Sequence, residues 1–422
     1  LVGFQTMVSV GDTYFIGRLG TEPLAGLALV FPLLMLLQMT SAGAMGGGVS
    51  SAIARALGAG DPLNARRLVV HALVIALAMG AVFTLLLLAL GRPLYRLLGG
   101  EGATLDAALA YSNVIFAGAV LIWVANTFSA VLRGTGNTLA PALALIAAAG
   151  VHLPLSGSLV LGWGPMPRLG IAGAGIAYIV TFGLAALSLG GVVLGRASAL
   201  RPRAGDLRLE RRLFREILRV GGISIVSSLQ TVLAAVILTG FVGRFGAAAL
   251  AGYGVGLRLE LLQVPLAFAV GQALVALVGT HVGASRPERA KRIAWTGAAL
   301  AAGVSLAIGV TVTLFPLAWV GIFSADPAVL AAGGSYLRIV GLSYPFLGLG
   351  IALYFASQGA GKVVLPVLAG TARLVIVAGG GFALLAAGAG LGAIFALVAL
   401  GMIVLGSLAA LAVARTDWGR TA

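Results

Sequence analysis

Long apolar runs, separated by short polar turns, dominate this chain from end to end. A helix that crosses a bilayer needs about 20 mostly apolar residues. Twelve runs meet or approach that length, near residues 1–17, 24–56, 63–91, 104–132, 139–161, 171–195, 217–242, 249–281, 289–320, 327–357, 363–388 and 390–414. The pattern therefore predicts an all-α polytopic membrane protein with twelve transmembrane helices. Because the first run has no polar lead, we expect the chain as given to begin inside its first helix, without a separate signal peptide.

Composition excludes most other classes of protein. Of the 422 residues, 60% are hydrophobic and 9% are charged, whereas soluble domains are about 45–50% apolar and about 25% charged. This hydrophobicity also excludes a disordered chain. There are no cysteines, which excludes disulfides and thiolate metal sites. The three histidines, His71, His152 and His281, lie far apart in the sequence, so we expect neither a metal site nor a cofactor.

The net charge of +15 is explained by membrane topology. With both termini in the cytoplasm, 19 of the 27 Lys and Arg residues lie in or beside cytoplasmic loops, and 5 lie in outer loops. Cytoplasmic loops of membrane proteins carry such an excess of basic residues. We therefore expect a multi-pass protein of the bacterial inner membrane with cytoplasmic termini, in contact with lipid and not with nucleic acid.

Three segments of the first half of the chain recur, in order, in the second half. GRLG at 17–20 recurs as GRFG at 243–246, GAGDPLNARR at 58–67 recurs as GASRPERAKR at 283–292, and RGTGN at 133–137 aligns with QGAGK at 358–362. The offset is 226 residues for the first pair and 225 for the others, which places six helices between equivalent positions. An even number of helices preserves orientation, so we predict parallel repeats of the kind found in transporters.

This repeat divides the chain into an amino-terminal lobe at 1–195, a cytoplasmic linker at 196–216 and a carboxy-terminal lobe at 217–422. Mixed charges with interspersed leucines predict that the linker is a solvated connector with a short interfacial helix. We expect the two lobes to rock as rigid bodies about this linker. The glycine-rich loops follow no predicted strand and lack the Lys-Ser/Thr of a P-loop, so we expect an ion gradient to be the energy source.

Several motifs resemble those of the multidrug and toxic compound extrusion (MATE) transporters. They are VGDT at 10–13 followed by GRLG at 17–20, LGAGD at 57–61, RGTGN at 133–137 and GLRLE at 256–260. The resemblance covers essentially the whole chain, and the order of the motifs makes it specific. It implies twelve helices in two six-helix lobes, and export of organic cations or other amphipathic compounds in exchange for H⁺ or Na⁺.

The fifth predicted helix departs from that family's pattern. Family members often carry Asn-x-Pro-x-Asn/Asp in this helix, and the matching segment here is HLPLS at 152–156. His152 stands where Asn is usual, and Ser156 stands where Asn or Asp is usual. The acidic residues that some relatives place in the seventh and tenth helices are also missing. At Ser156 the chain therefore lacks the acid or amide that the family's pattern offers to a cation.

Polar residues inside the predicted spans of the first lobe are candidates for function, because ionisable groups in a membrane are costly. Asp12 shares one helix face with Gln5 and Ser9, and we interpret it as the coupling carboxylate or, alternatively, as an interfacial residue. His152, beside Pro154, either shares a proton with Asp12 or bonds the backbone that the proline frees. Further candidates for lining the substrate cavity of this lobe are Gln38, Asn113, Asn126, Ser156 and Thr181.

The second lobe contains a smaller group of charged candidates. Glu260 lies near the middle of its predicted helix, and Arg338 and Arg373 lie in neighbouring helices. Because buried charges persist when they are paired, we predict that Glu260 pairs with Arg338 or Arg373. The pair either fixes the packing of helices or binds substrate or ion, and Tyr253 is a further candidate for the cavity wall.

We conclude from the sequence that the protein is an antiporter that exports amphipathic, often cationic small molecules, as a monomer, driven by H⁺ in preference to Na⁺. The alternative is a flippase for lipid-linked precursors, which would need a strongly basic cavity; Arg258, Arg338 and Arg373 keep it open. An enzyme would need convergent catalytic groups at one depth, and none is visible. A channel would need rings of repeated polar residues, which are also not visible.

Overall fold

The computed structural model describes residues 2–196 and 198–419, and within them the side chains of all but residues 2–7, Ala204, Leu261 and Pro265. The described residues form helices joined by short turns, with no strand among them. They divide into two compact units, one of Leu1–Ala56 with Asp61–Gly221 and one of Leu57–Gly60 with Gly222–Ala422. The boundary at Gly221 lies inside a helix, five residues beyond the end of the predicted linker.

The first unit contains eight helices, of which the third extends two residues beyond it. They are α1 (Val2–Gly17), α2 (Thr21–Gln38), α3 (Gly46–Gly58), α4 (Pro62–Leu97), α5 (Gly102–Ala117), α6 (Ala119–Gly134), α7 (Leu139–Leu161) and α8 (Ile171–Leu194). A π-helical segment, Met39–Met45, connects α2 to α3. The hydroxyl groups of Thr40 and Ser41 donate to backbone carbonyls of the preceding turn, and such bonds compete with the regular helical ladder. A π-helical segment often marks a functional site.

The second unit is built from the helices that follow. The helix α9 (Arg211–Gly243) starts in the first unit and continues into the second, which then contains α10 (Ala247–Gly283), α11 (Pro287–Leu314), α12 (Pro316–Val320), α13 (Pro327–Val340), α14 (Tyr344–Gly359), α15 (Val364–Ala386) and α16 (Leu391–Arg415). A 3-10 segment, Gly341–Ser343, joins α13 to α14.

The predicted spans correspond closely to these helices. Ten helices or continuous helical segments among the described residues are long and apolar enough to cross a membrane, or eleven if α5 and α6, which meet at an angle of 51°, form one span. The remaining predicted span is α1, of which 16 residues are helical. The prediction of one run at 327–357 misses the 3-10 break at Gly341–Ser343, which changes the rotational phase of the helix on either side.

Several side chains of the linker bond to the start of α4 in the first unit. The Arg66 guanidinium lies 3.1 Å from the Asp206 carboxylate, and that of Arg67 lies 2.8 Å from Glu210. The backbone N–H of Glu210 donates to Nε2 of His71 at 2.8 Å, and the ring of His71 packs against Phe214. The prediction of a solvated connector does not include these pairs, because acids about 140 residues from their arginines cannot be recognised as partners before the fold is known.

Asp206 makes this docking sensitive to acid. Burial by itself would raise the pKa of Asp206, but the backbone N–H of Arg203 and the guanidinium of Arg66, with the further charge of Arg67, together hold that pKa below its usual value. A carboxyl whose pKa is lower in the folded state stabilises that state above the unfolded pKa of about 3.9. The contribution is lost as the pH falls through the folded pKa. The linker should therefore be held firmly at neutral pH and released in acid.

We expect Asp206→Asn to loosen the linker at neutral pH. Hydrogen bonds to a charged group contribute about 1.5–3 kcal/mol, so the open linker should become about 10- to 100-fold more populated. Limited trypsin digestion at pH 7.5 would measure this as faster cleavage between 201 and 212. The control is Asp106→Asn, which changes an exposed carboxylate of the same unit. Equal cleavage rates in wild type and Asp206→Asn would contradict the docking.

Candidate functional site

Asp12 is held inside the first unit by two side chains of α7. Its carboxylate is only 4% exposed, and its Oδ1 lies 3.0 Å from Nε2 of His152. The hydroxyl of Ser156 donates to the same oxygen at 2.6 Å. The helices α1 and α7 approach closely at Gly11, where a Cβ would lie 2.2 Å from the side chain of Leu153. The glycine beside Asp12 therefore lets α1 lie near enough to α7 for these bonds to form.

The hydrogen-bond partners of His152 define which of its nitrogens carries a proton. The hydroxyl of Thr181 donates its one hydrogen to the carbonyl of Ala177 at 2.6 Å. Oγ1 of Thr181 therefore has only lone pairs to offer Nδ1 of His152, 3.2 Å away. A hydroxyl has one donor and two acceptor positions, so Nδ1 is the donor of this bond while the Thr181 hydroxyl donates to Ala177. Nε2 is then the nitrogen that faces Asp12.

The contact between Nε2 and Asp12 depends on this arrangement of hydrogens. If Nδ1 carries the hydrogen of a neutral imidazole, Nε2 has a lone pair, and a lone pair facing a carboxylate oxygen at 3.0 Å is repulsive. One additional proton removes the conflict, either as a carboxylic acid that donates to Nε2 or as an imidazolium that donates to the carboxylate. Both of these forms of the pair have no net charge, which burial favours.

A second group of polar side chains lies next to this pair in the same unit. The phenol groups of Tyr111 and Tyr178 interact electrostatically with Asp12. The ring of Tyr178 meets that of His152 edge to face, with centroids 6.2 Å apart. Nε2 of Gln38 donates to the hydroxyl of Tyr178 at 2.8 Å, and Nδ2 of Asn126 donates to Oε1 of Gln38 at 3.2 Å.

The structure thus brings together most of the candidates of the first lobe. Asp12, His152, Ser156 and Thr181 form one connected group, and Gln38 and Asn126 form the adjoining one. The sequence missed Tyr178 and Ser41, which accepts from Asn126; a tyrosine or serine in an apolar helix gives no signal that distinguishes it from packing. His152 bonds Asp12 and not the backbone freed by Pro154, as the first of its two interpretations expected.

Two candidates of the first lobe lie apart from this network. Ser9 and Asn113 are exposed, and no side-chain hydrogen bond joins either of them to the described polar groups. The side chain of Gln5 lies outside the described residues. The predicted face of Gln5, Ser9 and Asp12 is therefore buried at Asp12 and exposed at Ser9.

Glu260 in the second unit bonds a tyrosine and not an arginine. The hydroxyl of Tyr336 donates to the carboxylate of Glu260, and the ring of Tyr253 packs edge to face on that of Tyr336. Among the described residues no guanidinium lies within 4 Å of Glu260, although Arg373 interacts with it electrostatically. The predicted direct pair is wrong. Arg338 is exposed in the last turn of α13.

We expect Tyr336→Phe to destabilise the protein, because it removes the hydrogen bond to a buried carboxyl group. The cost of leaving such a group unsatisfied is about 1–3 kcal/mol. Unfolding of the purified protein by heat in detergent should show a lower Tm for this variant. Tyr14→Phe, which removes the hydroxyl of an exposed tyrosine, is the matched control and should change little. Equal stability of both variants would show that the Glu260 contact contributes nothing to the fold.

The three arginine candidates of the second lobe, Arg258, Arg338 and Arg373, do not lie together. The guanidinium of Arg258 lies 5.1 Å from the ring centroid of Phe323, in a cation–π contact. Since Arg258 and Arg338 are exposed and Arg373 is half-buried, these three arginines do not share one buried environment. Within the described residues, no group of three or more His, Asp or Glu side chains is placed to hold a metal ion.

Comparisons with known proteins find relatives along most of this chain. The MatE family model matches residues 2–156 and 224–382. A relative from Shewanella oneidensis named "FAD transporter" is 30% identical over 365 residues, which are 85% of this chain and 79% of the relative. A relative from Thermotoga maritima named "Probable multidrug resistance protein NorM" is 27% identical over 370 residues, 86% of this chain and 78% of the relative.

A solved structure has the same fold. The crystal structure of a MATE protein in complex with MaD3S superposes with a TM-score of 0.88 at 25% sequence identity, and covers 97% of this chain and 91% of its own. Such neighbours have twelve helices in two lobes.

Proposed function

Because the chain belongs to the MATE family of membrane transporters, we propose that it exports amphipathic, often cationic organic compounds in exchange for protons. It does so as a monomer in the bacterial inner membrane, with cytoplasmic termini, and its two lobes alternate between inward-open and outward-open states. The names of relatives that export drugs support the substrate class. The single observation that supports H⁺ as the coupling ion is the buried contact between Asp12 and His152.

The donors around Asp12 favour a proton over Na⁺. A bound Na⁺ needs several oxygen atoms that offer lone pairs to one point. Oδ1 of Asp12 instead receives the hydroxyl hydrogen of Ser156 and faces a nitrogen of His152. Both Ser156 and His152 occupy Oδ1 with hydrogen bonds. A metal cation would have to break these bonds before it could bind this oxygen. A proton needs no such rearrangement, because it already fits between Oδ1 and Nε2.

Loss of the shared proton gives the pair a second state. Nε2 then faces the carboxylate with a lone pair, unless the imidazole carries its proton on Nε2 and Thr181 turns its hydroxyl from Ala177 towards Nδ1. The pair can relieve this repulsion by moving Asp12 away from His152, which separates α1 from α7, or by the change of tautomer. Each of these changes breaks a hydrogen bond of the protonated arrangement. Two discrete arrangements of one packed contact are what a transporter needs for a proton to shift its populations.

Substrate and proton then compete through this contact. A cationic substrate is favoured when the pair has lost its proton and carries a net negative charge. Protonation from the acidic outer side removes that charge and weakens the attraction. Release of the proton into the cytoplasm restores it. This order exports a cation at the expense of the proton gradient, and it needs no nucleotide.

Export of flavin nucleotides is a second candidate, because one relative is named for FAD transport. The observation that favours it is Arg133, which is buried in the first unit and has no carboxylate within 4 Å among the described residues. Its guanidinium donates to Ser129 at 2.8 Å, and its Nε has no described partner. A pyrophosphate would supply the negative charge that a buried guanidinium lacks.

Transport by reconstituted protein would separate the two substrate classes. Proteoliposomes with an imposed pH gradient are loaded either with a fluorescent lipophilic cation or with FAD, and efflux is followed in each. After subtraction of the efflux from loaded liposomes without protein, we expect the cation to leave at least tenfold faster than FAD. Faster efflux of FAD, abolished by Arg133→Gln, would replace the first proposal by the second. Efflux of neither would contradict both.

A further inference from the structure

The sequence repeat makes the docking site of the linker comparable with a surface of the second unit. At the offset of 225 residues, Arg67 is equivalent to Arg292, and His71 is equivalent to Thr296. In the first unit, Arg67 and His71 hold Glu210 of the linker, through its carboxylate and its backbone N–H. In the second unit, both equivalent residues line a cleft of about 840 Å³ between α10 and α11.

This cleft has a charged end and an apolar wall. Arg289 and Arg292 lie one turn apart on α11 and line the charged end, near the start of the helix. Within the described residues, neither guanidinium has a carboxylate within 4 Å, although Glu288 is their neighbour in the first turn. Most of the remaining lining is aliphatic and includes Leu277 and Leu300, both about half exposed. The volume is within the range of about 300–1,000 Å³ that small-molecule sites occupy.

We propose that this cleft binds one anionic phospholipid. The phosphate group contacts Arg289 and Arg292, and an acyl chain lies along the aliphatic wall of α10 and α11. The bilayer supplies such a molecule at the depth where a basic end adjoins an apolar groove, and basic pockets between transmembrane helices bind anionic headgroups. The lipid supplies in the second unit the negative charge that Glu210 of the linker supplies in the first.

The proposal accounts for two features of this surface. In the first unit, residues of the linker cover the basic start of α4. At the start of α11, Lys291 donates to the carbonyl of Ala414 and Trp418 packs with Ala290, while Arg289 and Arg292 are exposed beside an open groove. An anionic lipid satisfies both features at once, whereas a soluble anion would satisfy only the charge and leave the aliphatic wall uncovered.

Native mass spectrometry and thermal unfolding of the full chain in detergent would test this. The probes are phosphatidylglycerol, phosphatidylcholine and soluble glycerol 3-phosphate. We expect phosphatidylglycerol to bind and raise the Tm, and the other two to bind at least fivefold more weakly. Arg289→Gln/Arg292→Gln should lose most of this binding. Ala273→Trp, which fills the groove from an exposed lining position without changing charge, should lose it as well.

Matched controls keep the result specific to the cleft. Arg211→Gln/Arg215→Gln removes two exposed basic residues at the start of α9 and should retain binding, and Arg289→Lys/Arg292→Lys should restore part of it. Equal binding of phosphatidylcholine, or full binding by both cleft variants, would overturn the proposal. Glycerol 3-phosphate binding as tightly as the lipid would show a site for a soluble phosphate and would also overturn it.

Discussion

Asp12→Asn should abolish proton-driven export and leave substrate binding at the lower affinity of the protonated pair. The amide has the size of a protonated carboxyl group, and with Nδ2 in the place of Oδ1 it donates to Nε2 of His152 as the acid would, with loss of the Ser156 hydrogen bond, but it cannot release a proton. The variant therefore stays in the arrangement of the protonated pair. A change of about 1.4 kcal/mol in the free-energy difference between the inward-open and outward-open states changes the ratio of their populations tenfold. We therefore expect efflux from proteoliposomes under a pH gradient to fall at least about tenfold.

Substrate binding separates loss of coupling from loss of the fold. Fluorescence of a lipophilic cation should report binding to Asp12→Asn without the pH dependence that wild type shows. Asp106→Asn makes the same chemical change at an exposed carboxylate of α5, whose nearest basic group is Arg92 at 3.8 Å, and should transport like wild type. Wild-type efflux from Asp12→Asn would exclude this carboxylate as the coupling group.

His152→Asn is expected to restrict export to acidic conditions. The amide nitrogen of asparagine can donate an N–H to the carboxylate of Asp12. Unlike Nε2 of His152, this nitrogen has no basic lone pair that could take up the proton of Asp12. The carboxylate then has a permanent donor, and protonation has to break that bond. We expect export at pH 7 to fall about tenfold or more, with recovery as the outer pH is lowered, since one hydrogen bond to a charged group contributes about 1.5–3 kcal/mol.

Variants of Thr181 test the same interpretation independently. Thr181→Ser keeps the hydroxyl that turns between Ala177 and Nδ1, and should preserve the pH profile of export. Thr181→Val keeps the shape but removes the hydroxyl, and should alter that profile. An unchanged pH profile in both His152→Asn and Thr181→Val would mean that His152 has only a packing role.

The parts of this account that the sequence predicts are those that depend on local pattern. Apolar run lengths predict the spans, and Asp12 and His152 are recognisable because each interrupts an otherwise apolar helix. Their pairing followed from polarity alone, since each buried polar group needs a partner. The predicted contact of Glu260 with an arginine failed because the sequence does not show which face of α13 is buried: Arg338 is exposed, and the buried Tyr336 bonds Glu260 instead.

Other features depend on contacts that no local pattern contains. In the sequence, Thr181 is one of several polar candidates. Its role in orienting His152 depends on the hydrogen bond that its hydroxyl donates to the carbonyl of Ala177. Asp206 and Glu210 are ordinary charges of a polar linker in the sequence, and their arginines precede them by 140 and 143 residues. Recognition of such pairs requires the packed helices themselves.

The most direct test of proton coupling compares two gradients on the wild-type protein. Proteoliposomes loaded with a fluorescent lipophilic cation are placed either in an imposed pH gradient without Na⁺ or in an imposed Na⁺ gradient at uniform pH, with the membrane potential clamped in both. If Asp12 and His152 share the coupling proton, the pH gradient alone should drive efflux above that of equally loaded liposomes without protein. Efflux driven by the Na⁺ gradient alone, with none from the pH gradient, would contradict it.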